Sequence, residues 1–463
     1  MSWTRRGFLA AATLGAGAVT SPAASAGDGP DGLAAIDTMP NLCAHEHWGS
    51  LTSIGHTDVG FVADAVAGAA SGETGLLDLL LDPYLGGFLA CGGFDGNRAA
   101  RELGCESLPE AIHQRPEGVL EALRPHLATQ RSVGTLMCIA TGVRELYGFD
   151  LDGLSAANWR ELDAAIRRHY TDPFAWYREA MGRAHLTGPI RPVELSYMLE
   201  AADPALAAHE RAFTHALLRV DRFIEWRRRP SDRVRYCIER TGIEPHDAAS
   251  WRALLEATFA LAQEHGCVGI KQLQAYSRDL EFAPHADGDI DLADDSPPAV
   301  RAFEDFTAHE CCRLAHELSW PFQVHVGTAN LPRSSPLPLE ALAYRYPGVR
   351  FVLLHTWPYF DESAYLAHFL PNVYIDTCWL AILSPSFLEE ALRKYIGFVP
   401  SHKLMCSQDA TSIEMAVGSA RHNRTLLRKV LGEQVRDGRF TKHQALEVAR
   451  RALHDNARGV YGA

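Results

Sequence analysis

The residues of this chain whose types and spacing could do chemistry are four histidines and one aspartate at the ends of short apolar runs. His45 and His47 form a His-x-His pair in AHEH, and His325 and His355 lie near the ends of FQVHVG and FVLLH. Asp409 ends LMCSQD. Imidazole nitrogens and a carboxylate oxygen are the ligands that a catalytic Zn²⁺ or a similar divalent ion takes, with one position left open. The pattern predicts a metal site made of His45, His47, His325 and Asp409.

Short apolar runs, interpreted as β-strands, must position these residues. Because a strand alternates its faces, His45 and His47 point to one side and Glu46 to the other. Runs without strict alternation are typical of parallel strands that are covered on both faces. The sequence predicts eight such strands, near 44–47 and at 134–141, 192–197, 267–273, 322–327, 350–355, 372–377 and 403–409.

Segments with helical spacing separate the strands and complete the predicted fold. In the second half they cover 298–318, 337–346, 362–369 and 386–395. The alternation favours right-handed βαβ units, and eight strands predict an α/β fold, a (β/α)8 TIM-like barrel. We expect helical insertions at 49–110 and 148–187 and C-terminal helices over 412–462. Catalytic groups of such barrels gather at the carboxyl ends of the strands, so the histidines and Asp409 should converge.

With these residues in view, the chain resembles the amidohydrolase superfamily. It is most similar to the amidohydrolase-related (amidohydrolase 2) group, which includes aminocarboxymuconate semialdehyde decarboxylase, and closest to the amidohydrolase domain fused to glutamine-synthetase-like proteins. The resemblance extends over 35–461 and is specific from 267 onward. It is carried by VGIK at 268–271, AY at 275–276, PFQVHVG at 321–327, LLH at 353–355, WPY at 357–359, PNVYID at 371–376, SQDA at 407–410 and NAR at 456–458.

The resemblance implies a barrel that holds one or two divalent metals, with Zn²⁺ as the expected ion and one ion expected rather than two. It makes His45 and His47 the ligands of the first strand, His325 that of the fifth and Asp409 that of the eighth. His355 is the sixth-strand histidine, which hydrogen-bonds the metal-bound water in one-metal members and binds the second ion in two-metal members.

Two cationic side chains near the predicted fourth strand could bind the substrate, but they leave its identity open. Lys271 stands where some relatives carry a carboxylated lysine that bridges two metals. It could equally pair with a carboxylate, bind an acidic substrate or reach along the barrel wall to solvent. Arg278 follows Tyr276-Ser277, where the closest relatives have Tyr-Arg. Lys271 and Arg278 together are a candidate clamp for a substrate carboxylate.

The predicted function is that of a metal-dependent hydrolase acting on an amide, a lactone or a related C–N or C–O bond. The cation would lower the pKa of a bound water. Asp409 would take the proton of that water and later protonate the leaving group. The metal or a protonated His355 would polarise the carbonyl. Two alternatives remain: a decarboxylase or other lyase using the same site, and a metal-binding protein without catalytic activity.

Charge and composition limit the partners. The 463 residues have a net charge of −13, which argues against nucleic-acid binding and anionic membranes and leaves a small-molecule substrate as the expected partner. The oligomeric state stays open, a homo-oligomer included.

The first 26 residues predict export. Arg5-Arg6 precede an apolar stretch at 8–20, and Ala-Ser-Ala at 24–26 forms a small-residue cleavage site. This arrangement resembles a twin-arginine signal, which the export machinery reads as an address and which is not a membrane anchor. We therefore expect a barrel over 27–463 that is periplasmic or extracellular, with most of its ten cysteines reduced in the core.

Overall fold

The computed structural model describes residues 32–47, 74–195, 199 and 212–462. The predicted signal at 1–26 lies outside the described residues and stays a prediction. All ten cysteines are described; all are free thiols, and every one except Cys91 is buried, as the sequence predicted for most of them. Among the described helices, none combines the length and the apolar character that crossing a bilayer requires.

Parallel strands form the centre of the fold. They are β1 (Asn41–Leu42), β2 (Leu186–Thr187), β3 (Ile190–Val193), β4 (His215–Arg219), β5 (Cys267–Gln272), β6 (Phe322–Val326), β7 (Phe351–His355), β8 (Val373–Asp376) and β9 (Leu404–Met405). Strands β3 to β9 make one seven-stranded sheet in chain order, and β1 pairs with β2. The sheet is curled into a barrel with α/β architecture, which confirms the predicted fold class.

Backbone hydrogen bonds continue the sheet past β1 and β9. The amide of Asp409 donates to the carbonyl of His45 (3.0 Å), and the amide of His47 donates to the carbonyl of Ala410 (3.1 Å). On the other side, the amide of Ile190 donates to the carbonyl of Cys43 (2.8 Å). The chain after β1 therefore lies between the start of β3 and the chain after β9, so the first and last predicted strands are neighbours.

Helices cover the outside of the barrel and fill the insertions. Those before β4 are Leu76–Leu80, Pro83–Cys91, Gly96–Glu102, Leu108–Gln114, Pro116–Gln130, Gly134–Tyr147, Trp159–Tyr170 and Pro173–Arg183. The later ones are Asp221–Ile224, Asp232–Thr241, Ala248–Glu264, Pro297–Glu317, Leu339–Arg345, Phe360–Phe369, Leu380–Leu383, Pro385–Tyr395, Ile413–Arg436, Lys442–Arg450 and Asn456–Tyr461. The helices predicted in the second half are confirmed, and so are helical insertions in the described parts of 49–110 and 148–187.

The sequence placed the second strand wrongly and the third two residues too late. Segment 134–141 belongs to the helix Gly134–Tyr147, the strand predicted at 192–197 is β3 at Ile190–Val193, and β4 was not predicted. A short apolar run is compatible with a buried helix and with a buried strand, and here the helix is buried against other helices. Strand β4 contains Arg219, and this charge hides it from a search for apolar runs.

Two glycines allow the helix Gly134–Tyr147 to cross the helix Ile413–Arg436 at close range. A Cβ at Gly142 would lie 1.8 Å from the carbonyl oxygen of Glu414, and a Cβ at Gly418 would lie 1.8 Å from that of Cys138. Both obstacles are backbone atoms, which cannot move aside as a side chain would. Since Ile413–Arg436 begins four residues after Asp409, this crossing fixes the insertion next to the last strand of the barrel.

We expect Gly418→Ala to lower the free energy of unfolding by about 1–3 kcal/mol, since an added methyl group forces two packed backbones apart. Urea unfolding measures the effect. The matched control is Gly182→Ala, also inside a helix, where an added Cβ meets nothing within 4 Å. That variant should be neutral or more stable by about 0.4–1 kcal/mol. Equal stabilities of the two variants would show that the helices can separate without cost.

Candidate metal centre

The predicted ligands of the first and last strands meet at one end of the barrel. The Nε2 atom of His47 lies 3.3 Å and that of His45 3.8 Å from Oδ1 of Asp409. Two ligand atoms that bind one tetrahedral Zn²⁺ lie about 3.3 Å apart. The side chains of His45 and Asp409 are buried, and that of His47 is 17% exposed. Three donors are therefore arranged as a divalent cation requires, and they have the ligand chemistry of zinc.

A second group of possible ligands shares Asp409. Nδ1 of His355 lies 3.3 Å from Oδ2 of Asp409 and 3.4 Å from Sγ of Cys378. The ligand atoms of the three side chains lie within 4.8 Å of one another. The sequence predicts His355 as a site residue, whereas Cys378 was expected to be a buried core thiol. Its position two residues after the end of β8 is the one signal that could have singled it out.

His325 lies beside these groups without belonging to either. Its ring centroid is 4.3 Å from that of His355 and 4.7 Å from that of Tyr276. Nε2 lies 3.2 Å from the hydroxyl oxygen of Thr328, and Nδ1 is buried with no hydrogen-bond partner among the described residues. The structure thus places His325 at the centre of the barrel mouth, with a free nitrogen, and does not bring it within the close set of His45, His47 and Asp409.

The backbone is strained where the site side chains leave the barrel. His355, Trp379 and Asp409 adopt positive φ angles of 68°, 68° and 64°. Such a conformation costs a non-glycine residue about 1–3 kcal/mol and is found most often at functional sites. His355 is the last residue of β7, and Trp379 and Asp409 lie three and four residues after the ends of β8 and β9, so the backbone turns where these residues enter the site.

Gln323, which was not predicted from the sequence, orients His45. The Nε2 group of Gln323 donates to the carbonyl of Ala44 (2.6 Å) and lies 2.8 Å from the hydroxyl of Tyr461. Its Oε1 must then accept a hydrogen bond from Nδ1 of His45 (2.8 Å), which leaves Nε2 of His45 free to bind a cation. Strand alternation could have found Gln323, because it precedes His325 by two residues and shares its face.

A tyrosine from the helical insertion completes the surroundings of Asp409. Tyr84, in the helix Pro83–Cys91, donates its hydroxyl hydrogen to Oδ1 of Asp409 (2.9 Å). Asp82 caps this helix by accepting from the amide of Tyr84 (2.9 Å). The ring of Tyr84 lies 5.1 Å from that of Trp379, which in turn lies 5.4 Å from His355. No motif around Tyr84 predicts this contact, since it joins residues 325 positions apart.

Burial decides the protonation of the site. It holds the pKa values of His45, His325 and His355 well below their usual range, with the positive charge of Lys271 acting in the same direction. Burial and the same charge lower the pKa of His47 to about 3. All four imidazoles are therefore neutral at pH 7, as ligands must be. The protonated His355 considered from the sequence is disfavoured by the same burial.

The pKa of the Asp409 carboxyl group shifts in the opposite direction, upward. Burial raises the pKa of Asp409 to about 7, against the opposing effects of Lys271 and of the hydrogen bond from Tyr84. Without metal, Asp409 is therefore protonated below about pH 7 and ionised above it. Below about pH 7, a cation must therefore displace that proton in order to bind Asp409.

We expect metal affinity to fall about tenfold per pH unit below about pH 7, because one proton must leave Asp409 when the ion binds. The histidines, already neutral, add nothing to the slope until the pH is much lower. Titration of metal-free protein with Zn²⁺ on both sides of neutral pH measures it. The matched control is Asp409→Asn, whose weaker affinity should be flat over this range. If wild type released two or more protons for each ion bound, histidines would have to titrate together with Asp409.

Lys271 is buried inside the barrel. It is 1% exposed, which excludes the interpretation that it reaches solvent, and its Nζ atom has no hydrogen-bond partner among the described residues. Burial lowers its pKa, and the charge of Asp409 opposes that effect. The structure brings Lys271 close enough to act electrostatically on all the predicted ligands.

Arg278 and Glu46 have structural partners. The guanidinium of Arg278 contacts Glu304 (2.9 Å) and Asp305 (2.5 Å) on the helix Pro297–Glu317 and is 2% exposed, so its placement does not support the clamp considered from the sequence. Glu46 points away from His45 and His47, as predicted. Its Oε2 accepts from the amide of Ala410 (2.7 Å) and ties the first strand to the last.

The family of the chain follows from its sequence. A family model described as Amidohydrolase matches residues 159–463, more than half of the chain. The chain belongs to this amidohydrolase family, which confirms the resemblance drawn from the motifs. Protein fluG of Emericella nidulans is 32% identical over 219 residues, which make up 42% of this chain and 25% of that protein. The chain thus matches about a quarter of the length of this relative.

Solved structures share the fold over almost the whole chain. The uronate isomerase of Thermotoga maritima has a TM-score of 0.71 at 13% identity and covers 93% of this chain and 96% of its own. A candidate metal-dependent hydrolase of Lactobacillus casei ATCC 334 has a TM-score of 0.61 at 17% identity, over 93% and 97%. At such identities the similarity concerns the barrel and not the reaction.

Proposed function

We propose that the protein is a metal-dependent hydrolase that cleaves a C–N or C–O bond, such as an amide or a lactone, of a small molecule. The observation that carries the proposal is the convergence of His45, His47 and Asp409 within 3.3–3.8 Å, beside a neutral His355 and at the mouth of an amidohydrolase barrel. The donor set fits one Zn²⁺. When bound, that ion lowers the pKa of a water molecule toward neutrality and so supplies a nucleophile at neutral pH.

The residues of the chain have separate tasks in this proposal. Asp409 accepts the proton of the attacking water and returns it to the leaving nitrogen or oxygen, so that no net proton is consumed. Tyr84 keeps Oδ1 of Asp409 in place by its hydrogen bond of 2.9 Å. Nδ1 of His355 lies 3.3 Å from the carbonyl of Cys378, an arrangement in which Nδ1 carries the hydrogen and Nε2 is free to accept one from the water.

Decarboxylation is the second candidate, and Lys271 favours it. A buried ammonium without a protein partner suits a substrate that brings a carboxylate, as every decarboxylase substrate does. The C–C bond would break with release of CO₂, and the carboxyl group of Asp409 in its protonated form would give its proton to the carbon that keeps the electron pair. The two reactions differ in their products, and CO₂ release separates them.

The experiment that tests the function combines metal analysis with a substrate screen on one preparation. Purified protein should contain close to one divalent ion per chain, and it should hydrolyse members of a panel of amides and lactones only when that ion is present. Removal with a chelator should abolish turnover, and added Zn²⁺ should restore it. Hydrolysis that survives metal removal would contradict the proposal. CO₂ release from the carboxylic acids of the panel, without hydrolysis of any member, would favour the second candidate.

A further inference from the structure

The side chain of Lys271 points into the barrel toward the metal centre. In the sheet it pairs with Arg219 on β4 and with Gln323 on β6. Residues at matching positions of neighbouring strands share a face, and Gln323 reaches His45 inside the barrel. The positive charge of Lys271 also lowers the pKa values of His45 and Asp409, so its ammonium lies within electrostatic range of both groups.

The neighbouring cation is satisfied by the protein, whereas Lys271 is not. Nε and Nη2 of Arg219 lie 3.1 and 2.8 Å from the two carboxylate oxygens of Asp221, and Glu194 adds an oxygen at 3.7 Å. The ammonium of Lys271 is as deeply buried as Arg219 but makes no hydrogen bond to any described residue. A buried charge without acceptors is costly, and proteins keep such groups where a ligand supplies the partner.

Aromatic side chains lie beside the histidines of the site. The ring of Tyr276, which is 52% exposed, lies 4.7 Å from His325 at the opening. Trp379 lies 5.4 Å from His355, and its indole N–H is buried with no acceptor among the described residues. The site therefore has aromatic walls and, among the described residues, donors that no acceptor uses, including the ammonium of Lys271 and the indole of Trp379. Such a lining suits an organic molecule with an anionic end.

We propose that Lys271 binds a carboxylate group of the substrate, so that the enzyme acts on small organic acids and not on neutral molecules. The inference rests on the proposed function, because it uses the same site. Lys271 supplies binding and orientation: the anionic end pairs with its ammonium, and the reactive carbon is held near Asp409 and His355. The role requires no carboxylation of the lysine and no second ion.

The test compares an acid with its amide, which have the same shape and differ in charge. Metal-loaded protein is titrated calorimetrically with benzoate and with benzamide, and with butyrate and butyramide. Wild type should bind each acid at least tenfold more tightly than its amide. Lys271→Met should bind acid and amide about equally while keeping its metal, and Lys271→Arg should retain the preference for the acid.

The matched control is Lys403→Met, which removes another buried ammonium. Lys403 is 4% exposed, but its Nζ donates to the backbone carbonyl of Ala367 (2.8 Å), so it has protein partners away from the site. This variant should lose stability and keep the preference for the acid. If Lys271→Met does not fold, a crystal structure of wild type with benzoate decides: a carboxylate oxygen should lie within hydrogen-bond distance of Nζ of Lys271.

The inference would be overturned by equal binding of acid and amide by wild type, by an undiminished preference in Lys271→Met, or by benzoate bound in the crystal without contact to Nζ. A ¹³C carbamate signal after growth with labelled bicarbonate would also overturn it, because Lys271 would then be a bridging ligand. Binding and metal content are measured without turnover. Protein that binds acids through Lys271 but hydrolyses nothing would refute the proposed hydrolysis alone.

Discussion

Replacing Asp409 by Asn should lower turnover by about 10³-fold or more, since general-base catalysis alone contributes about 10²–10⁴-fold. Asparagine keeps the shape of the side chain and the hydrogen bond from Tyr84, but it cannot accept a proton. It also offers a weaker ligand atom beside His45 and His47, so metal affinity should fall in parallel. Turnover at saturating Zn²⁺ and metal affinity, measured on the same preparation, separate the two losses.

The matched control for this variant is Glu414→Gln, which also neutralises a fully buried carboxyl group. Glu414 accepts hydrogen bonds from Tyr147 (2.6 Å) and Tyr170 (2.9 Å) in the insertion, outside the metal centre. Glu414→Gln should change the free energy of unfolding and leave turnover within about twofold of wild type, as expected away from the reacting groups. An Asp409→Asn enzyme that retained both its metal and wild-type turnover would remove Asp409 from the mechanism.

Replacing His355 by Ala should lower turnover by about 10²–10⁴-fold while the protein keeps its single ion. The reason is that the ion is held by His45, His47 and Asp409, which converge on one position. His355 lies on the other side of that position and acts there only by accepting a hydrogen bond. Metal analysis of wild type, His355→Ala, Cys378→Ala and Lys271→Ala should therefore give close to one ion per chain in all four proteins.

The group formed by His355, Cys378 and Asp409 makes this a demanding test, because its distances of 3.3 and 3.4 Å would also suit a cation. Two ions in wild type, with one lost in His355→Ala and in Cys378→Ala, would overturn the single-metal prediction. An additional loss in Lys271→Ala would indicate that this lysine bridges the two ions. The metal content of His325→Ala is measured beside them. A loss of metal in this variant would show that His325 moves to the ion, because alanine offers no ligand atom in its place.

The chain's sequence determined the barrel of the second half and the chemical types at its mouth. Strands β5 to β9 are dominated by apolar residues, helical segments separate them, and the predicted site residues lie at or shortly after their carboxyl ends. His45 and His47 could be predicted from the sequence as a pair of ligands on one face, because strand alternation is a local property that needs no knowledge of the fold. In the first half the same reasoning failed at 134–141, since an apolar run states that a segment is buried but not whether it is a strand or a helix.

Only the tertiary structure decided which groups meet. The contact of Tyr84 with Asp409 and that of Gln323 with His45 join residues far apart in the chain, and neither contact leaves a trace in local spacing. The same holds for Lys271 and Arg278, two buried cations that the sequence could not tell apart. Arg278 is neutralised by Glu304 and Asp305 on a neighbouring helix, whereas Lys271 faces the metal centre with no hydrogen-bond partner among the described residues. Periodicity records which side of an element is buried, but the partners that a buried charge finds depend on packing between elements, and that information exists only in the folded chain.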